Sequence, residues 1–124
     1  MGQLFLAIAA ILGGLSVGLG AFGSHALRER LSDRALDIFE TANRYQMYHA
    51  LALLGVAILL SRAEVPQPLL TTSAIALLVG IFIFSGSLYA LSLTGIKWLG
   101  AVAPIGGLAF MVGWACLSIA AFKL

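Results

Sequence analysis

Residues 4–23 carry no charged side chain, and neither do residues 65–96 or 99–122. A run of about 20 uncharged, mostly apolar residues coiled as a helix matches the hydrocarbon core of a bilayer, roughly 30 Å thick. In lipid every backbone N–H and C=O must be satisfied within the protein, so only helices and closed barrels can cross. A barrel needs strands of alternating polarity, and the runs do not alternate. The pattern therefore predicts helical spans at residues 4–23, 69–91 and 99–122. A shorter second span is predicted at residues 45–61.

Composition supports the bilayer as solvent. Of 124 residues, 61% are hydrophobic and 10% charged, against about 25% charged in ordinary soluble domains. Mean hydropathy is +1.06. A soluble domain this small could not cover its surface with so few polar groups. The net charge of +2 is too small and too scattered to draw nucleic acid. The single cysteine, Cys116, excludes an intrachain disulfide and sits in an apolar run, where a packed thiol is expected. The N-terminal MGQLFL lacks the Ser/Thr of a myristoylation signal, and no basic residue precedes the apolar run as in a cleaved leader.

The interruptions have local causes. SRAEVPQP separates the second and third segments with two prolines, and Gly95, Lys97 and Trp98 close the third. Pro104 inside the fourth predicts a kink. Before the second span, residues 32–44 read as an amphipathic helix capped by Ser32. Asp33, Asp37, Glu40 and Arg44 form a wet face, opposed by Ala35, Ile38, Ala42, Tyr45 and His49. Continued to Ser61, such a helix exceeds the hydrocarbon core, so its first part is expected to lie at the interface or to project. The fold expected is an all-α membrane protein, a single four-helix transmembrane bundle with an interfacial amphipathic helix before the second span. Lys and Arg counts orient it. Arg28, Arg30, Arg34, Arg44 and Lys97 fall on one side, Arg62 and Lys123 on the other. Both termini are therefore expected outside the cytoplasm.

His25 closes the first span and His49 opens the second, at similar depth. Two such imidazoles can ligate a haem iron or another metal, can respond to protons, or can simply hydrogen-bond their neighbours. No further ligand set or haem-attachment signature accompanies them, so the expectation is a packed polar cluster of His25, Asn43, Tyr45, Gln46 and His49. It would clasp the glycine-rich end of the first span. No catalytic residue, metal or cofactor is assigned. Gly14 and Gly18 form a GxxxG pair, expected to pack within the bundle. Ser85, Ser87 and Tyr89 can line a polar path or bond locally. Mid-span Asp, Glu, Lys and Arg, the usual markers of ion-coupled transport, are missing, as are a nucleophile–base pair and a phosphate loop.

GAFGSHAL (residues 20–27), FETANRYQMYHALALL (39–54), FSGSLYALSLTG (84–95) and LGAVAPIGGLAFMVGW (99–114) follow one another over nearly the whole chain. In order and spacing they resemble the YgdD/YwdK-like small inner-membrane proteins. These form the domain of unknown function 423 family, whose eukaryotic relatives include transmembrane protein 256. Ser24 stands where the family pattern has Ala. The resemblance implies a multi-pass protein of the bacterial inner membrane and supplies no reaction.

The function expected is that of a non-enzymatic accessory component binding a membrane-protein partner or lipid. Arg28, Arg30 and Arg34 are candidate contacts to anionic headgroups. The alternatives are a small transporter or channel, and a haem- or quinone-associated redox component acting through His25 and His49. The lipid bilayer is the one certain partner class, and oligomeric state is left open.

Overall fold

The computed structural model describes residues 1–124 and is all-helical, without strands. Four helices follow in order: α1, Gly2–Leu27; α2, Asp33–Arg62; α3, Pro68–Thr94; and α4, Leu99–Ala121. Three of them, α1, α3 and α4, are long and apolar enough to cross a membrane. α2 is the exception, because its apolar run is short and is preceded by Tyr45, Gln46, Tyr48 and His49.

The helix ends follow from local chemistry. The Ser32 Oγ accepts from the Ala35 N–H at 3.1 Å and Asp33 opens the first turn, which together cap and charge-match the start of α2. Pro68 occupies the first turn of α3, where its missing N–H has no partner to lose. Gly95, at φ +73, closes α3 in the left-handed conformation, its N–H donating to the Leu91 carbonyl at 2.8 Å. α4 runs unbroken through Pro104. α1 and α3 each contain one widened π turn, at Leu19–Gly23 and Ile81–Ser85.

Residues 32–44 and 45–61, read from sequence as two segments, are parts of one uninterrupted helix of 30 residues, about 45 Å long. α2 is the central element, packed on α1 along one side and on α3 along the other. Its buried side chains include Phe39, Ala42, Gln46, His49, Leu53 and Val56. α1 contributes Phe5, Ala9, Leu12 and Ser16, at alternating steps of four and three residues, to the same seam. α4 packs mainly on α3, where glycines allow backbones to approach. A methyl on Gly106 would lie 2.7 Å from the Phe84 Cβ, and one on Gly113 would lie 2.8 Å from the Leu77 Cγ.

The GxxxG pair behaves differently from its expectation. Nothing in the chain lies within 4 Å of a methyl placed on Gly14 or Gly18, so these glycines face outward. Close packing is instead supplied by Gly80, Gly106 and Gly113. Only 27 of 124 residues are buried, and large apolar side chains such as Leu4, Ile11, Leu108 and Met111 are more than half exposed. An apolar exterior of this extent is what lipid, not water, tolerates.

The antiparallel order brings the charged segments to one end. There the start of α2 meets the α3–α4 turn, while Met1 and Gly2 meet residues 60–72 at the other.

Candidate functional site

Asn43 and Gln46 sit one turn apart on α2, facing the seam between α1 and α3. The Gln46 Nε2 donates to the Leu12 carbonyl of α1 at 2.8 Å. Its Oε1 accepts from the Tyr89 hydroxyl of α3 at 2.6 Å. One amide thus ties three helices. The carbonyl has a second lone pair for this bond beyond its helical partner. The Asn43 Oδ1 accepts from the Ser16 Oγ at 2.7 Å and lies 3.1 Å from the Tyr89 hydroxyl. Ser16 also lies 3.0 Å from the Asn43 carbonyl, so its single proton is shared between two acceptors. One residue earlier, the Ala42 carbonyl accepts from the Ser85 Oγ at 2.7 Å. The Phe39 ring meets the Tyr89 ring edge-on, centroids 5.1 Å apart, at the charged end of this clasp.

His49 belongs to another face. Its ring stacks on Phe110 of α4, with centroids 3.5 Å apart and planes inclined by 10°. Nδ1 is 2.8 Å from the Tyr45 carbonyl, and Nε2 is 3.1 Å from the indole Nε1 of Trp114. A carbonyl can only accept and an indole N–H can only donate. The imidazole is therefore the neutral tautomer with its proton on Nδ1. Tyr45 packs beside it on Phe84, with centroids 4.7 Å apart.

His25 is exposed, in a polar cleft of roughly 320 Å³ lined by Gly20, Ala21, Ser24, Arg28, Glu40, Asn43 and Arg44. The five residues expected to form one cluster thus divide into three settings. Asn43 and Gln46 hold the clasp, Tyr45 and His49 join α2 to α4, and His25 lies in the outer cleft with Asn43 at its wall. The two histidines share no cleft. Both nitrogens of His49 are already bonded, so it offers no free lone pair to an iron beside His25. Similar depth in the membrane says nothing about which side of a helix a residue occupies, and that is why the pairing fails.

The buried serines of α3 are engaged as well. Ser73 donates to the Gly113 carbonyl at 2.7 Å, Ser87 to Phe84 and Ser92 to Tyr89. No buried side-chain nitrogen or oxygen lacks a partner. Ser85 and Tyr89 therefore tie α3 to α2, and Ser87 bonds within its own helix, rather than lining a path. Ser16, Tyr89 and Trp114 were missed as members of these networks. Their signal was a polar atom inside an apolar run, which must find a partner.

Two clefts flank the charged end. Arg28 lines the one holding His25. Arg34 lines the other, of roughly 670 Å³, together with Lys97. Arg30 is exposed on the turn between α1 and α2. Basic groups at a rim above an apolar body can hold anions at the headgroup level.

The family model described as a protein of unknown function, DUF423, matches residues 19–107. The chain is 43% identical over 121 residues to a UPF0382 membrane protein of Staphylococcus aureus, covering 98% of this chain and 97% of the relative. It is equally 43% identical to the UPF0382 membrane protein YwdK of Bacillus subtilis, with 98% of each covered. A second Staphylococcus aureus relative, from strain USA300, is 44% identical over 127 residues, covering 98% of this chain and 97% of the relative. No solved structure matches the chain.

Proposed function

The chain belongs to the DUF423 family of membrane proteins, and from that premise we propose a non-enzymatic accessory component of the bacterial cytoplasmic (inner) membrane. It binds lipid or a membrane-protein partner at its basic end. The observation that carries this reading is where free polar groups remain. Every buried side-chain nitrogen and oxygen of the helices has a partner, whereas Arg28, Arg30, Arg34 and Lys97 are exposed at one rim. A binding site needs groups available to a ligand, and this rim gathers four exposed cations.

In this reading the chain is one multi-pass domain with four spans. The apolar half of α2, residues 45–61, crosses with its three neighbours. Its charged turns, residues 32–44, leave the hydrocarbon and lie at the interface. The basic end, with Arg28, Arg30, Arg34, Arg44 and Lys97, faces the cytoplasm, and both termini lie outside. A reporter active only in the cytoplasm, fused after Leu124, is expected to be silent, whereas one inserted in the Arg28–Ser32 turn is expected to be active. The reverse pattern would overturn the orientation.

The functional reading is tested by purifying the full chain from native membranes in mild detergent and identifying what accompanies it. Enrichment of acidic phospholipid or of one stoichiometric membrane protein is expected, and neutralising Arg28, Arg30 and Arg34 together should reduce it. Co-purifying lipid of bulk membrane composition, with no protein partner, would refute the reading.

A further inference from the structure

The two clefts at the basic end differ in chemistry. The cleft at His25 includes a carboxylate, Glu40, among its basic residues. The cleft between the first turns of α2 and the α3–α4 turn has no carboxylate in its lining. Arg34 and Lys97 enter it from opposite elements, above a floor made by Ile38 and Leu91 and left open by Gly100. The Ser32 Oγ, already accepting from the Ala35 N–H, keeps its own proton to donate there. Trp98, 66% exposed and next to Lys97, suits the headgroup level of a bilayer.

Two cations without an opposing acid, set over apolar side chains, match an amphiphile whose anionic head is joined to an acyl chain. An arginine fork can hold two phosphate oxygens at once, and a lysine adds a point charge. Asp37 lines a separate groove with Arg34 and Ile38, and Lys97 is not part of that groove's lining. It leaves Lys97 unopposed.

We propose that this cleft is a site for one acidic phospholipid, its phosphodiester between Arg34 and Lys97 and its acyl chain descending over Ile38 and Leu91. The proposal rests on the lipid-binding reading above and narrows it from a basic rim to one cleft.

The test uses the full chain in nanodiscs of phosphatidylcholine containing a minor fraction of phosphatidylglycerol, with bromine on the acyl chains of one lipid at a time. Bromine quenches tryptophan on contact, and Trp98 is the reporter, identified by loss of the selective signal in Trp98→Phe. Brominated phosphatidylglycerol is expected to quench selectively. Arg34→Gln with Lys97→Gln should raise the phosphatidylglycerol needed by roughly thirtyfold, about fivefold for each cation's attraction to an anionic surface. Both residues are exposed and make no side-chain hydrogen bond, so the fold is spared. Gly100→Leu gives an uncharged second arm. A Cβ there meets only the Leu91 Cδ2, at an ordinary 3.6 Å, so the larger side chain fills the cleft and should also abolish selectivity.

Arg28→Gln with Arg30→Gln, at the rim but outside this cleft, should weaken the quenching by much less than the cleft pair does. If that pair loses as much as the cleft pair, the basic rim acts diffusely: the site is refuted while the accessory reading stands. Equal quenching by brominated phosphatidylcholine refutes it too. Displacement of the brominated lipid by millimolar inorganic phosphate would assign the cleft to a soluble anion and likewise overturn the lipid. The accessory reading fails separately, on the native-membrane purification alone.

Discussion

Gly106→Ala is expected to destabilise the protein by about 3 kcal/mol, the upper end of what overpacking usually costs. The added methyl would lie 2.7 Å from the Phe84 Cβ and 2.8 Å from its Cα, with the Phe84 backbone nitrogen closer still. Phe84 belongs to the π turn of α3, so its backbone cannot move aside as a side-chain tip could. On the same seam, the Gly106 carbonyl lies only 3.1 Å from where a Gly80 methyl would stand. The only relief is to push α4 away from α3, which opens the contacts of Phe110 and loosens the ring on which His49 stacks. Thermal or denaturant unfolding in detergent should show this as a large loss of midpoint and of monodisperse protein. The neighbouring Gly107→Ala is the internal control. No atom lies within 4 Å of its added methyl, and alanine is the better helix former by up to about 1 kcal/mol. It should be neutral or slightly stabilising. Equal effects from the two substitutions would show that close backbone approach is not what holds α4 in place.

Gln46→Leu is expected to have the next largest effect, about 2 kcal/mol. It removes two interhelical hydrogen bonds, to Leu12 and Tyr89, and such bonds in membrane proteins contribute about 0.6–2 kcal/mol each. The loss is moderated because the Tyr89 hydroxyl can turn to the Asn43 Oδ1, 3.1 Å away. Tyr89→Phe should cost about 1 kcal/mol, chiefly by leaving the Gln46 carbonyl without its donor. The double variant should cost less than the two single losses together, because the Gln46–Tyr89 bond is lost only once. A coupling of about 1 kcal/mol in that cycle is the expected signature. Strict additivity would mean that the Gln46–Tyr89 contact contributes nothing to holding α2 against α3.

The helical class and the three long apolar helices were legible because they follow from hydropathy and length, which are properties of contiguous residues. The start of α2 at Ser32 and the end of α3 at Gly95 were legible for a similar reason, since a cap or a left-handed turn is chosen by one or two residues. The polar clasp was legible only in part. Asn43 and Gln46 stand out as amides beside an apolar run, and a partner for them was inferable. That the partners would be Ser16, the Leu12 carbonyl and Tyr89 was not, because they come from helices 27 to 46 residues away. His25 and His49 show the limit most clearly. A common depth expected from sequence does not give direction: His49 turns toward Trp114, 65 residues later, and His25 toward the outer cleft.

The chain by itself determined its solvent, its helices and its charged end, since each depends on local composition and on the requirement that backbone groups be satisfied in lipid. Tertiary structure alone decided which small residues bring helices together and which face outward. Gly106 and Gly113 meet α3, while Gly14 and Gly18 meet nothing in the chain. It also decided that Arg34 and Lys97 share one cleft. Such outcomes depend on the rotation of each helix about its own axis. In a chain apolar on nearly every face, that rotation is set by mutual packing and paired polar atoms rather than by any one helix's sequence.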